Sequence, residues 1–187
     1  IRLMGDRLFG VSQEERLRAL RHFGVTYQSG ALFGSMTLLE NVCLPLESFT
    51  DLPREARCLV AEMKLELVGL KEYACYFPTD ISGGMKKRAA IARAMALDPR
   101  ILFLDEPSAG LDPVTSAGLD RLILHLRDTQ GVTVVMVTHE LASIFAVADR
   151  CVMLDKQEQR LIATGSPAEL REHSEHPAVR AFFNREG

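Results

Sequence analysis

The chain has 187 residues, 47% of them hydrophobic, with 22 basic against 25 acidic side chains and a formal net charge of −3. That length and apolar content suit one packed domain, or one domain with a lobe, and argue against a disordered chain. The near balance of charge leaves no general electrostatic footprint for nucleic acid, so no nucleic-acid partner is expected.

The opening "IRLMGDRLFG" carries charges at short intervals and does not read as a signal peptide, while an initial Ile reads as the start of a piece of something longer. Ser12 and Glu15 form a capping-box pair that starts a polar helix, and "GVTYQ", Gly24 to Gln28, has the β-branched and aromatic content of a short strand. From Leu38 to Leu70 the periodicity is helical, with Pro53 at a helix start and Leu59, Met63, Leu65, Leu67 and Val68 as apolar positions. After this helix-rich lobe come "RILFLDEP", a helix from about Pro113 to Asp128, "GVTVVMVTHE", and a helix to Ala148. Strands apolar throughout, alternating with helices, predict an α/β fold with a parallel sheet covered on both faces. "CVML" and "LIAT", separated by "DKQEQR", predict a closing hairpin; Ser166-Pro167 with Glu169 opens a short helix, and another lies around Val179 to Asn184. The longest apolar runs, such as "VTVVMV", are about a third of the length a membrane-spanning helix needs. Cys43, Cys58, Cys75 and Cys151 lie far apart with no C-x-x-C pair and are expected to be reduced, mostly buried thiols of a cytosolic protein.

Chemistry concentrates between Ile81 and Pro113, "ISGGMKKRAAIARAMALDPRILFLDEPSAGLDP". Asp105 and Glu106 follow a buried strand, and ligands of open α/β sheets bind beyond the carboxyl ends of the strands. An acidic turn capping the next helix would read the same way. In the functional reading, Asp105 holds magnesium directly or through water, and Glu106 orients and deprotonates an attacking water. Ser82, Gly83 and Gly84 remove side chains where a backbone must approach a ligand, and the following helix offers free N–H groups to an anion. A plain helix start with Ser82 as N-cap is the alternative. Lys86, Lys87 and Arg88 read equally well as a solvated helix face, and no phosphate role is assigned to them. His139 closes the strand "VTVVMVT" at the edge that carries the acids, where an imidazole can hydrogen-bond a terminal phosphate and water. Gln28 closes another strand there, and its amide can reach the metal or the water. His22, His125, His173 and His176 have no strand-end context.

The ordered set of Gln28, "ISGGM", "ILFLDEP", "SAGLDP" and "VMVTHE" resembles the nucleotide-binding subunit of ATP-binding-cassette (ABC) transporters over essentially the whole chain. The resemblance implies a RecA-like P-loop NTPase core bearing a helical signature lobe. It assigns about 33–97 to that lobe, 1–32 and 98–165 to the catalytic α/β core, and 166–187 to a C-terminal helical tail. By the same resemblance Gln28 is the Q-loop residue, Ser82, Gly83 and Gly84 belong to the signature, and Asp105 is the Walker B aspartate. Glu106 is then the catalytic base, Asp112 the D-loop acid and His139 the switch histidine, with ATP and Mg2+ as cofactors. Two copies would face each other head to tail, the signature of one covering the ATP of the other.

No G-x-x-x-x-G-K-S/T run, the phosphate-cradling loop, occurs in the sequence. The expectation is therefore a cassette without its front part, an unpaired sheet edge, and poor ATP hydrolysis by this chain alone.

"YQSGALFGSMTLLENVCLPL", Met85 in "SGGMKKRAAIARAMALDP" and the tail "HPAVRAFFN" are similar to the Mla/Mce-type, or toluene-tolerance, phospholipid transport ATPases. That likeness implies lipid movement between bacterial membranes, powered from the cytoplasmic face of the inner membrane by a peripheral subunit. A permease would dock by Ser29 to Phe33 and the helical lobe, and in some such systems a small soluble subunit also contacts the cassette. An importer of a polar solute such as an amino acid, and a non-catalytic interaction module on a permease, are the other readings.

Overall fold

The computed structural model describes residues 2–185. Contacts divide the chain into two compact units, Ile1–Thr138 and His139–Gly187.

The first unit opens on an antiparallel pair of two-residue strands, β1 (Arg2–Leu3) and β2 (Asp6–Arg7), which has no counterpart in the sequence expectation. Helix α1 (Gln13–Leu20) starts at the expected capping box: the Ser12 hydroxyl accepts from the Glu15 N–H at 3.2 Å, and the Glu15 carboxylate accepts from the Ser12 N–H at 2.9 Å. Both bonds satisfy amides that have no partner inside the helix. Strand β3 (Phe23–Thr26) then enters the sheet and leads into a helical lobe of α2 (Leu38–Phe49), α3 (Arg54–Leu67) and α4 (Gly83–Ala94). Strand β4 (Ile101–Asp105), helix α5 (Pro113–Gln130) and strand β5 (Thr133–Val137) complete the unit.

The sheet runs β3-β4-β5 and is parallel throughout, with Thr26, Leu104 and Met136 in one row and Asp105 beside Val137. Its covering differs from expectation. The face carrying Gly24, Thr26, Leu102 and Leu104 is buried, with Gly24 against α4. On the other face Val25, Val135 and Val137 are exposed, Val137 by 62%. Val135 and Val137 are as apolar as the inward-facing Val134 and Met136, the composition of a parallel sheet with both faces covered.

In the lobe, Leu38, Val42, Ala61, Leu65, Ile91 and Met95 form a closed core, each large side chain contributing roughly 1.5–3 kcal/mol by leaving water. The buried Asn41 ties down the segment before α2: its Oδ1 accepts from the Phe33 N–H at 2.8 Å, and its Nδ2 donates to the carbonyls of Phe33, Met36 and Thr37. On α3 the expected apolar face divides. Leu65 and Val68 are buried, whereas Leu59 and Met63 stand 63% and 65% exposed. Lys64 takes an inward position instead, its aliphatic stem covered and its ammonium reaching Asp98 at 2.5 Å.

All four cysteines are free, but Cys75 is exposed and the other three are half-buried, so the expected burial is not met. Burial first, and then the neighbouring Cys58, push the Cys43 thiol up to about 11.

The second unit holds α6 (Leu141–Val147), β6 (Cys151–Asp155), β7 (Arg160–Gly165), α7 (Pro167–His173) and α8 (Pro177–Asn184). Strands β6 and β7 form the expected antiparallel hairpin. Helix α7 opens at the expected Ser166–Glu169 capping box, and Pro177 at the first turn of α8 starts that helix earlier than the apolar pattern alone suggested. Ile144, Leu170, Val179 and Phe183 form the small core, with Phe145 edge-on to Phe183 at 5.9 Å.

Candidate functional site

In the first unit the ends of β3 and β4 bring Gln28 and the two acids to one rim. Gln28 lies in an exposed turn two residues beyond β3, not in the strand itself. Asp105 is the last residue of β4 and is exposed; Glu106 follows, half-buried. The Glu106 N–H donates to the Val137 carbonyl at 2.8 Å, continuing the pairing with β5 past the end of the strand. Its backbone is left-handed, with φ +44, a conformation that costs an L residue roughly 1 kcal/mol or more. The Thr138 hydroxyl donates to its Oε2 at 3.4 Å.

The Ser-Gly-Gly turn starts α4. Ser82 is its N-cap, the hydroxyl accepting from the Met85 N–H at 3.3 Å. The two glycines meet different demands. A Cβ on Gly84 would lie 2.5 Å from Thr115 Cγ2, so this glycine lets α4 pass close to α5. A Cβ on Gly83 would meet nothing nearer than Leu111 Cδ2 at 3.7 Å, so nothing among the described residues requires glycine there. Asp112 caps α5: one oxygen accepts from the N–H groups of Val114 and Thr115 at 3.0 Å each, and the other from the Thr115 hydroxyl at 2.5 Å. The Thr115 hydroxyl, and then these amides, hold its carboxyl below the ordinary carboxylate range.

The basic run does not form a solvated face. Lys86, Lys87 and Arg88 are all half-buried, and Arg88 donates to the Val68 carbonyl at 3.3 Å. The Lys87 ammonium donates to the backbone carbonyl of Gln28 and, at 3.1 Å, to that of Glu106. Farther along α4, Arg93 donates to the Ala31 carbonyl at 2.7 Å and the Gly30 carbonyl at 3.0 Å. Burial lowers the pKa values of both Lys87 and Arg93 from their usual ranges; Glu106 and Asp105 oppose that shift at Lys87, and Tyr27 opposes it at Arg93. Sequence gave no signal for either bridge beyond a cluster of cations on one helix, since the carbonyls they reach lie in other segments.

His139 begins the second unit, exposed and two residues beyond β5, with its Nε2 3.9 Å from Glu140 Oε1. Among the described residues, no group of three or more His, Cys, Asp or Glu is arranged to hold a metal ion. No helix of the described residues is long and apolar enough to cross a membrane.

Residues 3–109 match the family model described as ABC transporter. The chain is 37% identical over 180 residues to the intermembrane phospholipid transport system ATP-binding protein MlaF of Escherichia coli K12, covering 96% of this chain and 66% of that protein. It is 42% identical over 181 residues to the probable ribonucleotide transport ATP-binding protein mkl of Mycobacterium leprae, covering 96% of this chain and 51% of that protein. The chain thus spans between about half and just under two thirds of these relatives. Among solved structures, the ATP-binding cassette MJ0796, a dimer in a post-hydrolysis state with ADP and Pi, superposes with a TM-score of 0.75 at 28% identity, covering 88% of this chain and 71% of that one. The cbiO1 subunit of the cbiONQ transporter of Clostridium perfringens gives a TM-score of 0.77 at 25% identity, covering 87% and 64% of the respective chains. With the family model spanning more than half of its residues, the chain belongs to the ABC transporter family.

Proposed function

We propose that this chain is part of the ATP-binding subunit of a transporter that moves phospholipid between bacterial membranes, working as a peripheral protein on the cytoplasmic face of the inner membrane. The observation that carries the ATPase reading is the convergence of Gln28, Asp105 and Glu106 at the carboxyl ends of adjacent parallel strands, with the Lys87 ammonium between the Gln28 and Glu106 carbonyls. Glu106 is the base: its carboxylate takes a proton from the attacking water, and Gln28 orients that water. His139 supplies a hydrogen bond to the terminal phosphate. Asp105 and the Gln28 amide oxygen are hard oxygen donors suited to magnesium, which keeps waters and takes few protein ligands. Bound there, the metal would neutralise charge on the phosphates of ATP.

Gly83 is open to an incoming group, and Ser82 and Asp112 lie exposed beside it. These features support a second copy, packed head to tail, whose nucleotide is covered by Ser82, Gly83 and Gly84 and flanked by Asp112. The dimeric ADP-bound relative and the cassette from the cbiONQ complex support a paired cassette on a permease. On this reading the permease docks at Ser29 to Phe33 and the helical lobe. In the domain scheme, 33–97 is that lobe, 1–32 and 98–165 the catalytic core, and 166–187 the tail. On this reading the 187 residues, which hold no G-x-x-x-x-G-K-S/T run, hydrolyse ATP poorly by themselves.

In the full-length protein, Glu106→Gln should keep ATP binding and lower steady-state turnover by about a hundredfold or more. Ordinary turnover in that variant would remove Glu106 from the role of base. The cargo rests on the MlaF likeness and on the "YQSGALFGSMTLLENVCLPL" and Met85 features. The mkl relative carries a polar-solute name, and this favours a solute importer as the second reading. ATP-dependent lipid transfer by the reconstituted transporter separates the two.

A further inference from the structure

Helix α4 meets the turn after β3 along a continuous strip. Lys87 reaches the Gln28 carbonyl, Arg93 reaches those of Gly30 and Ala31, and a Cβ on Gly30 would lie 3.5 Å from Ala90 Cβ. Arg93 therefore anchors the far end of the turn, leaving its Gln28 end to Lys87. The same ammonium also donates to Glu106, whose own N–H is bound to β5. An ammonium has three donors in a compact, charged head. Withdrawn halfway from water, it has to recover its lost hydration from protein acceptors, and main-chain carbonyls on two separate segments supply it. The charge also lies close enough to Asp105 and Glu106 for both to oppose the effect of its burial.

We propose that Lys87 is a positioning residue: by bridging the Gln28 and Glu106 carbonyls it fixes the turn that carries the amide against the strand end that carries the carboxylate. This rests on the reading of Glu106 as base and Gln28 as its orienting partner. The bridge is made to main-chain carbonyls, so its effect is on the separation of two groups that have to act on one water. A displacement of about an ångström at such a pair costs on the order of a hundredfold in rate.

Two backbone amides report the bridge without any nucleotide. The Gly30 N–H is bound to the Tyr27 carbonyl at 2.7 Å, and the Glu106 N–H to the Val137 carbonyl at 2.8 Å. In the full-length protein, Lys87→Met should speed hydrogen exchange at both by about tenfold, and Lys87→Arg, which keeps a charged donor, should largely restore them. Arg88→Met is the control, because Arg88 bonds Val68 on another side of the helix. Unchanged exchange at both amides in Lys87→Met, or an equal rise in Arg88→Met, would overturn the assignment whatever the turnover. In the ATPase assay, Lys87→Met should lower kcat by about tenfold to a hundredfold with KM nearly constant, and Lys87→Arg should recover most of it. A raised KM with intact kcat would also overturn it. Retained turnover in Glu106→Gln would instead strike the functional reading, while the exchange result would still decide whether Lys87 joins the two segments.

Discussion

The two ends of helix α4 are built on opposite plans. Its first turn is capped locally by Ser82 on Met85, and a Cβ at Gly83 would meet only Leu111 Cδ2, at 3.7 Å. Its flank from Lys87 to Ala94 is held by the rest of the unit: two cations bind carbonyls of other segments, and Ala94 lies against Gly24 of β3. One short sequence thus contains an exposed start, Ser82 and Gly83, and, from Gly84 on, a flank committed to the fold. The difference separates residues whose replacement should cost stability from those whose replacement should cost function alone.

The largest effect is expected on the flank. A Cβ at Gly24 would sit 2.2 Å from the Ala94 carbonyl oxygen, and backbone can yield only by moving β3 away from α4. Gly24→Ala should therefore destabilise by about 3 kcal/mol or more in denaturant unfolding, and near-normal stability would mean that the strand and helix are not so close.

At the open end, the paired glycines should respond with opposite signs. Gly84→Ala would press on Thr115 Cγ2, which cannot rotate aside without breaking the bond from the Thr115 hydroxyl to Asp112. A loss of about 1–3 kcal/mol is expected, most of it recovered when Thr115→Ser removes the obstructing methyl. Gly83→Ala meets only an ordinary contact and should hold or gain stability, by up to about 1 kcal/mol from helix propensity. Turnover of the full-length protein should nevertheless fall by about tenfold or more, because the new methyl occupies the approach to the turn. Equal stability changes at the two positions would erase the contrast.

The smallest effect concerns acid. Glu15, Glu40 and Glu169 are held below the ordinary carboxylate range, first by the backbone N–H of Ser12, Thr37 and Ser166 respectively, and Asp112 first by the Thr115 hydroxyl. Each of these groups binds its proton less readily folded than unfolded. The stabilisation is thus complete above the unfolded values and is lost as pH falls through the folded ones. Unfolding midpoints should decline from about pH 5 toward about pH 3, and Glu→Gln at the three capping boxes should flatten that slope. An unchanged slope would show that these caps carry no proton linkage.

What could be read from the sequence was what is encoded locally. The capping boxes at Ser12 and Ser166, Pro53 before α3, and the hairpin around "DKQEQR" each depend on residues a few positions apart, and each formed as expected. The strand-end acids were legible too, as was a glutamine near the same rim, though it lies in the turn beyond β3 and not in the strand. Faces were harder. Helical spacing alone could not tell that Leu59 and Met63 point outward while Lys64 goes inward to Asp98. The duties of Lys87 and Arg93 were hidden for a related reason: their acceptors are main-chain atoms up to 63 positions away, and every residue offers the same carbonyl. Asp112 shows the converse, a side chain whose local capping geometry is complete before any larger role is considered.

The left-handed backbone at Glu106 limits which replacements can be interpreted. Threonine, valine or isoleucine would strain the chain just past β4, mixing lost chemistry with a shifted carbonyl at the Lys87 bridge. Unbranched glutamine, or asparagine and glycine with their tolerance for that conformation, leave the scaffold in register. A saturation library at this codon would thus sort by shape at Cβ before it sorted by acidity.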